Sequence, residues 1–425
     1  MLRPTEHRVF LKILLLLMFW GPQGFASSWA LEIDNTLETE ISEVGLGKET
    51  SLLRENHFGD VWQRGIDVQA SLLSRFAWNE HLALVIEPIV ETPREGRKVY
   101  FRKGYLRVVF FNLALKVGRD SLWWGPGEHG SLLITNNAFP FDLIELGSDQ
   151  PFFLPWILRG LGSFRVDSFL TRLDEYRDYP YARLFGLRLS YNPVSALTLG
   201  ISRVVTFNGR GVPSDEKYSF PEFLNWYFSS SSNGTHLSEA QIVSLDAHLR
   251  VPFWIHQRPF VATVYGELGG EEESGWIPTL HAWIIGSTWA GEAGGRPWKF
   301  VLEYAQDHVD GNPDVWYTHY IYTTGYTYRG QIIGHHMGTD ANDLFTQFTF
   351  RLLSEDEAKL FWEREGSWTT RPHWRIRLGG GFEHLLYAKG PRVFIEPFVD
   401  ELAPLQPGGP RSWNEVVTTG VRYQF

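Results

Sequence analysis

Apolar and polar residues alternate with a period of two along most of the chain. In the last ten residues, Val417, Val421 and Phe425 fall on one face of a strand, whereas Arg422 and Gln424 fall on the other. Successive side chains of a strand point to opposite faces, so one face suits lipid and the other a water-filled lumen. The pattern therefore predicts the strands of a membrane β-barrel rather than helices.

The same alternation predicts further strands before the C-terminal one. Including the C-terminal strand, the sixteen predicted strands are 61–76, 79–90, 98–110, 113–119, 163–176, 182–192, 195–206, 241–251, 258–269, 278–290, 297–306, 316–329, 343–352, 373–386, 391–399 and 414–425. One or two more are expected between residues 120 and 162. Longer polar connections such as 307–315 and 354–372 are predicted to be extracellular. Counted back from a periplasmic C-terminus, the strand directions alternate without conflict as far as residue 163.

The N-terminal region reads as an export signal. Arg3, Arg8 and Lys12 precede an unbroken apolar run over residues 13–20. This run has the length of a signal-peptide core and is too short to span a bilayer as a helix. The sequence predicts a signal peptide over 1–30, cleaved between 26 and 30, a short N-terminal periplasmic segment over 31–60, and a barrel over 61–425. Within 31–60, the spacing of Ile33, Leu37, Ile41 and Val44 leaves one short helix or an early strand open.

Composition narrows the function classes. The chain contains 18 Trp, 17 Tyr, 30 Phe and 41 Gly, and membrane barrels use such aromatic residues in girdles at both interfaces. The absence of Cys excludes a disulfide framework and a thiolate metal site. A net charge of −10 disfavours nucleic acid as a partner.

Residues 118–162 interrupt the alternation. A connection of this length far exceeds the usual two to six residues, and its content of Trp, Leu, Phe and Pro is too apolar for a loop in water. We expect it to fold inward and constrict the lumen. It should cross the barrel's height once, either as a wall strand around 130–137 or through the lumen, because irregular backbone facing lipid would leave polar groups unpaired.

Within this region, residues 118–140 carry a family resemblance. Gly-Arg, Trp-Gly-Pro-Gly, Ser-Leu-Leu, Asn-Ala and Pro follow one another at the spacing of the signature of the Wzi family of capsule-assembly outer-membrane proteins. Residues 317–342 resemble the same family, as does Ser202-Arg203 with Asn208-Gly209 and Gly211. The resemblance implies an all-β fold, a transmembrane antiparallel β-barrel of about 16–18 strands. It also implies a lectin-like role in anchoring capsular or other surface polysaccharide.

The candidate polysaccharide-binding residues lie in these motifs. They are Arg119, Asp120, Trp123, Trp124, Asn136, Arg329, His335 and Asp340. An indole can stack on a sugar ring, although adjacent Trp residues on an extended chain face opposite ways. Arginine suits an acidic sugar because its fork binds a carboxylate with two hydrogen bonds; the alternative is that Arg119 and Asp120 pin the inward loop to the wall. Neither a metal ion nor a cofactor is expected, because adjacent histidines on a strand point apart.

Three functions remain open at this point. The first is a non-enzymatic outer-membrane protein of a Gram-negative bacterium that binds surface polysaccharide. The second is a diffusion porin. The third is a barrel enzyme, for which His129 and Ser131 with Asp142 or Asp149 have the residue types of a hydrolase triad, although no Gly-x-Ser-x-Gly motif is present. Expected partners are outer-membrane lipid, lipopolysaccharide and the barrel-assembly machinery, for which Tyr423 and Phe425 resemble the insertion signal.

Overall fold

The computed structural model describes residues 31–47, 51–92, 96–228, 239–255, 258–274, 277–352, 355–368, 373–404 and 409–425. Within these residues, eighteen long antiparallel strands form a closed barrel, in which each strand pairs with the next along the chain. The predicted fold class is therefore confirmed. The strands are β1 (Leu31–Gly45), β2 (Gly65–Trp78), β3 (Leu82–Thr92), β4 (Lys98–Phe110), β5 (Leu113–Asp120), β6 (Phe141–Ser148), β7 (Ser163–Arg172), β8 (Arg183–Val194), β9 (Leu197–Phe207), β10 (Glu239–Ile255), β11 (Arg258–Ser274), β12 (Ile277–Ala293), β13 (Arg296–Gln306), β14 (Ala341–Arg351), β15 (Glu357–Ser367), β16 (His373–Leu385), β17 (Arg392–Pro404) and β18 (Ser412–Gln424).

The two ends of the barrel differ in their connections. At one end the strands are joined by short turns such as 195–196 and 294–295, and Phe425 lies at this end. Gly294 and Gly295 have φ angles of 61° and 73°, the positive values that favour glycine in a two-residue hairpin turn. Short turns are periplasmic in outer-membrane barrels, so the end with the long connections is extracellular.

The wall has the alternation that the sequence predicts. In β18, Trp413, Val417 and Val421 are exposed on the outer face, whereas Asn414 and Val416 are buried on the inner face. The outer face is therefore apolar where it meets lipid, and the inner face contacts the chain segments that fill the lumen.

The prediction of a periplasmic segment over 31–60 is wrong for its first half. Leu31–Gly45 forms β1, which pairs with β18 from Thr36↔Gln424 to Gly45↔Glu415 and with β2 on its other side. Its outer face carries Leu37 and Ile41, so it is a wall strand that closes the barrel. The described part of the barrel therefore begins at residue 31 rather than 61, and the predicted signal peptide lies outside the described residues.

Two further strand predictions are wrong. Residues 316–329 lie in the connection between β13 and β14, where Trp316, Tyr322 and Tyr326 are buried in the lumen instead of alternating across a wall. Conversely, β15 occupies most of the segment 354–372, for which the sequence predicts a loop. The strand wrongly predicted at 316–329 and the missed strand β15 offset each other in the strand count. Because β14 lies between them, it runs opposite to its predicted direction, whereas the other predicted directions are right.

Beyond Asp120, where β5 ends, the segment 118–162 divides into three parts. Residues 121–140 fold into the lumen, as expected for an inward loop. The predicted crossing occurs in the wall, but through β6 rather than through residues 130–137, because β6 pairs with both β5 and β7. Residues 149–162 stay at the periplasmic end and include a 3₁₀ helix, Trp156–Leu161.

Three extracellular connections fill much of the lumen. We call the described residues 46–47 and 51–64 plug segment 1, residues 121–140 plug segment 2 and residues 307–340 plug segment 3. Leu132, Leu133 and Ile134 of plug segment 2 and Trp316 and Tyr322 of plug segment 3 are fully buried in one apolar core, which packs against the inner faces of neighbouring wall strands. Their burial removes large apolar surfaces from water and so stabilises the inward fold.

A carboxylate of the wall holds plug segment 2 in position. Glu303 of β13 accepts hydrogen bonds from the backbone N–H groups of Glu128 at 2.7 Å, His129 at 3.2 Å and Gly130 at 2.8 Å. Tyr265 donates to the same carboxylate at 2.7 Å. Buried backbone groups need partners, so this anchor allows an irregular chain to lie inside the barrel.

The long connection between β9 and β10 contains a helix, α1 (Phe220–Phe228). Its Phe223 and Tyr227 cover Phe185, Val205 and Phe207, which lie on the outer face at the extracellular end of the wall. In the described part of the chain, none of the helices combines the length and the apolar character needed to cross a membrane.

Candidate functional site

The candidate binding residues do not form one site. Arg119 and Arg329 line a cavity at the extracellular rim, and Trp123 lines a second cavity deeper in the lumen. The remaining candidates are packed or hydrogen-bonded within the barrel. The rim cavity therefore has the strongest claim to a ligand that approaches from outside the cell.

The rim cavity has a volume of about 470 Å³ and lies between the plug and the extracellular ends of β3 and β4. Plug segments 2 and 3 bring Phe139 and Arg329 to it, and the wall contributes Lys98, Tyr100 and Arg119. It thus combines aromatic rings with cationic side chains at the surface of the barrel.

Phe139 is the centre of this arrangement. The guanidinium carbon of Arg329 lies 4.1 Å from the centroid of its ring, and that of Arg119 lies 5.2 Å away. Tyr100 packs beside the same ring at a centroid distance of 5.9 Å. The attraction between a guanidinium group and an aromatic face holds both arginines at the cavity wall.

The two arginines differ in their partners. Arg119 donates to both carboxylate oxygens of Asp142, at 2.7 and 2.8 Å, and to the carbonyl of Phe101 at 3.0 Å. Arg329 is exposed, and within the described residues it forms no ion pair with a carboxylate; its side chain hydrogen-bonds to the hydroxyl of Tyr328, and its backbone N–H donates to Asp174 at 2.9 Å. The Arg329 guanidinium group is therefore available to an acidic ligand.

Asp60 of plug segment 1 lines the cavity as a fixed negative charge. It is bonded to His57 at 3.0 Å and to Arg102 at 3.1 Å, and it accepts a hydrogen bond from Tyr100 at 3.3 Å. Burial by itself would raise the pKa of Asp60, but the hydrogen bond from His57 and the charges of His57 and Arg102 outweigh burial and lower it to about 2. Asp60 thus ties plug segment 1 to the wall beneath the cavity.

The adjacent Arg119 and Asp120 do not act together. Arg119 points outward at the rim, whereas Asp120 is buried inside and accepts a hydrogen bond from Lys116 at 2.8 Å. Trp123 and Trp124 also separate, as expected for neighbours on an extended chain. Trp124 is buried against Phe169, with ring centroids 5.2 Å apart, and so belongs to the core.

Asn136, His335 and Asp340 have structural surroundings. The carbonyl of Asn136 accepts a hydrogen bond from the backbone N–H of Phe58 in plug segment 1. His335 is fully buried, and its burial together with His336 and His129 lowers its pKa well below the usual value. Asp340 is buried and bonded to His308. None of the three lines the rim cavity.

The comparison with known families decides what kind of barrel this is. A family model described as capsule assembly protein Wzi matches residues 33–366. The chain belongs to the Wzi family. This family comprises capsule assembly proteins of the outer membrane rather than enzymes, and the barrel with its lipid-facing wall is an outer-membrane protein of this type.

A relative from Klebsiella pneumoniae matches part of the chain. An uncharacterized 55.8 kDa protein in the cps region of Klebsiella pneumoniae is 26% identical over 211 residues, which cover 49% of this chain and 40% of that protein. The match therefore spans less than half of that relative's length.

Solved structures support the fold. Wzi of Escherichia coli, described as a carbohydrate-binding β-barrel involved in group 1 capsule assembly, has a TM-score of 0.71 at 17% identity, covering 100% of this chain and 89% of that one. OprD of Pseudomonas aeruginosa has a TM-score of 0.53 at 10% identity and 93% coverage of both chains. At these identities the likeness shows the fold alone.

The groups considered for a hydrolase in this Wzi-family barrel are dispersed. Ser131 is bonded to the carbonyl of Trp124 and lies 3.1 Å from Glu267, whereas the ring of His129 stacks on Phe345. Asp142 faces Arg119 at the rim, and Asp149 pairs with Arg107 at the periplasmic end. No triad forms from these residues. The plug also argues against an open diffusion porin, because an apolar core lies across the lumen.

Sequence reasoning missed Phe139 and Tyr100. Phe139 lies inside the first family motif, between Ala138 and Pro140, but an aromatic residue before a proline gives no distinct binding signal. Tyr100 lies in an ordinary alternating strand. Only the folded plug brings the two rings together.

Proposed function

We propose that this protein holds capsular or related surface polysaccharide at the outer membrane and that the rim cavity is where the polysaccharide binds. The observation that carries the proposal is the exposed guanidinium group of Arg329, which lies against Phe139 at the mouth of the cavity without a carboxylate partner among the described residues. Family membership and the extracellular position of the cavity support the same function.

The chemistry of the cavity favours an acidic glycan. A guanidinium group binds a sugar carboxylate with two parallel hydrogen bonds, and Lys98 adds a second positive charge at the same cavity. The ring of Tyr100 offers an apolar face for a sugar, while Asp60 and Glu91 provide acceptors for sugar hydroxyls. We infer that repeating units with a carboxylate bind better than neutral ones.

The experiment measures binding of purified acidic capsular polysaccharide to the folded protein in detergent, by calorimetry or surface plasmon resonance. Replacing Arg329 by Ala should weaken binding about tenfold or more, because a charge-assisted bidentate contact contributes about 1.5–3 kcal/mol. Arg329→Lys should recover only part of the affinity, since lysine keeps the charge and loses the fork.

Arg296→Ala is the matched control, because Arg296 is exposed at the periplasmic end of β13. Carboxyl-reduced polysaccharide provides a second control. Equal affinity of wild type, Arg329→Ala and Arg296→Ala for the acidic polymer would contradict the proposed site, as would unchanged affinity for the carboxyl-reduced polymer.

We also propose that the outer face contacts membrane lipid and lipopolysaccharide, and that Tyr423 and Phe425 form the signal read by the barrel-assembly machinery. Phe425 is exposed at the end of β18, and its ring stacks on Tyr423 with centroids 5.3 Å apart. The apolar outer face described for β18 supports contact with lipid. Deleting Phe425 should reduce the folded, heat-modifiable form recovered from outer membranes.

A further inference from the structure

A cluster of ionisable side chains lies where the plug meets the wall. His129 comes from plug segment 2, His336 from plug segment 3 and Glu363 from the inner face of β15, and their donor atoms lie close together with that of Glu55 from plug segment 1. Asp343 on the inner face of β14 lies beside both imidazoles. Residues more than 200 positions apart along the chain thus converge inside the barrel, away from the rim cavity.

We propose that His129, His336, Asp343 and Glu363 bind a divalent transition-metal ion, and that Zn²⁺ fits best. The site is independent of the proposed polysaccharide site. It would fasten plug segments 2 and 3 to the wall with coordinate bonds.

The four imidazole-to-carboxylate separations are those of donors that share one metal ion. His129 Nε2 lies 3.6 Å from Asp343 Oδ2 and 3.7 Å from Glu363 Oε1. His336 Nε2 lies 3.7 Å and 3.5 Å from the same two oxygens. Donors about 2.0–2.2 Å from a zinc ion at the corners of a tetrahedron are about 3.3–3.6 Å apart. The four separations are longer than ordinary hydrogen bonds and close to this value.

Three of the four donor atoms are buried without a hydrogen-bond partner: Nε2 of both His129 and His336, and Glu363 Oε1. The other carboxylate oxygen of Asp343, Oδ1, is also buried without a partner, whereas Oδ2 is the oxygen that faces the two imidazoles. The side chain of His336 is 0% exposed, and those of Asp343 and Glu363 are each 2% exposed. Leaving a buried polar atom unpaired costs free energy, so several such atoms aimed at one point require an explanation, which a metal ion supplies.

Carboxyl groups are also in excess around the cluster. Arg375 and Arg377 lie in the same buried region and pair with Asp400 and Glu55 respectively. The carboxyl groups in this region nevertheless outnumber these two guanidinium groups. The carboxyl groups are those of Glu55, Asp343, Glu363, Glu365 and Asp400. A divalent ion would allow both Asp343 and Glu363 to be ionised in this buried region, where an unpaired charge is otherwise costly.

The donor set indicates the metal class. Two imidazole nitrogens with two carboxylates suit a borderline ion such as Zn²⁺, whereas Ca²⁺ and Mg²⁺ require six or more ligands that are mainly oxygen. A cavity of about 380 Å³ borders His129 and Glu363 and extends along the inner wall to Lys359 and Glu396, near the periplasmic ends of their strands. It gives an ion a route to the site.

The sequence pattern points away from this site. Adjacent His335 and His336 would face opposite ways on a strand, but they lie in plug segment 3, outside any strand. The second imidazole is instead supplied by His129, whose carbonyl accepts a hydrogen bond from Asn56 at 2.6 Å. Spacing along the chain does not reveal a ligand set drawn from two loops and two strands.

The test titrates ZnCl₂ into the full-length protein, folded in detergent and stripped of metal, with calorimetry and elemental analysis as readouts. We expect one Zn²⁺ per chain and a Zn K-edge absorption spectrum with two imidazole ligands. His336→Gln and Glu363→Gln should each weaken binding by about tenfold or more. A 100-fold excess of Mg²⁺ should not displace the zinc.

His248→Gln is the control, because His248 lies on β10, outside the cluster. Heat-modifiable gel mobility verifies that each variant is folded, and the spectrum of the wild type tests the ligands without any substitution. Absence of stoichiometric zinc in the folded wild type would overturn the proposal. Zinc affinity of both ligand variants equal to that of His248→Gln, or a spectrum without imidazole, would do the same.

Discussion

Replacing Glu303 by Gln tests whether wall carboxylates hold the plug. Glu303 accepts three backbone N–H groups of plug segment 2 and the hydroxyl of Tyr265. Glutamine keeps the size of the side chain but has one acceptor oxygen, and its amide N–H₂ would face groups that are themselves donors. The substitution therefore removes part of the anchor without opening a cavity.

The magnitude follows from the number of bonds lost. A hydrogen bond to a charged group contributes about 1.5–3 kcal/mol, and at least two of the four cannot form to glutamine. With some recovery by water, local opening of plug segment 2 should become easier by about 3 kcal/mol. Since each 1.4 kcal/mol is a factor of ten, its amides should exchange about a hundredfold faster.

Hydrogen exchange followed by mass spectrometry measures this directly on peptides covering residues 126–134. Glu292→Gln is the control, because Glu292 is exposed near the periplasmic end of β12. Peptides from β14 and β15 should keep their protection in both variants. Exchange of plug segment 2 in Glu303→Gln at the wild-type rate would show that the anchor contributes little and would refute the reasoning.

Two further predictions concern the core and the response to acid. Trp124→Ala should destabilise the barrel by about 3–5 kcal/mol, seen as a lower midpoint of heat-modifiable unfolding, whereas Trp123→Ala should cost much less because Trp123 borders a cavity. The pKa of Asp60 falls from its ordinary value of 3.8 to about 2 on folding, so its ion pairs stabilise the protein by about 2 kcal/mol above pH 4 and this contribution is lost as pH falls toward 2. The urea midpoint of the wild type should drop over that window, and that of Asp60→Asn should change less; equal pH dependence of the two would contradict the assignment.

The sequence predicts the wall because a strand between lipid and lumen must alternate. It fails where a different environment produces a similar pattern. Residues 316–329 alternate because some of their aromatic residues enter the lumenal core, not because they face lipid. The error is hidden because the missed strand β15 restores the alternation of directions. Agreement of directions therefore does not verify individual strands.

The missed strand β1 has a readable signal. Leu37, Thr39 and Ile41 alternate with Glu40 and Ser42, which is the pattern of an outer and an inner face. Its partner β18 is separated from it by almost the whole chain. A barrel must be closed by its first and last strands because an unpaired edge is not tolerated in lipid. Together, the alternation and this need for closure are enough to assign β1 to the wall.

The candidate site is harder to predict for a physical reason. Its residues reach the cavity through connections that have no periodic pattern, so the family motif identifies the right segments but does not separate packing from binding. Trp124 and Asp340 stabilise the plug, whereas Arg329 lies at the surface. Within a motif, exposure and the absence of a carboxylate ion pair distinguish the two roles, and both become visible only in the folded barrel.

The rim cavity and the plug share residues, so binding and closure of the lumen should be coupled. Plug segments 2 and 3 supply Phe139 and Arg329, and they are joined by Thr135, whose backbone N–H donates to the carbonyl of Ile333 at 2.9 Å. Loosening plug segment 2 in Glu303→Gln should therefore weaken polysaccharide binding although Glu303 does not border the rim cavity. Arg329→Ala should weaken binding without faster exchange in residues 126–134. If Glu303→Gln exchanged faster and bound polysaccharide as wild type, the rim cavity would not depend on the plug, and the ligand would have to contact the wall alone.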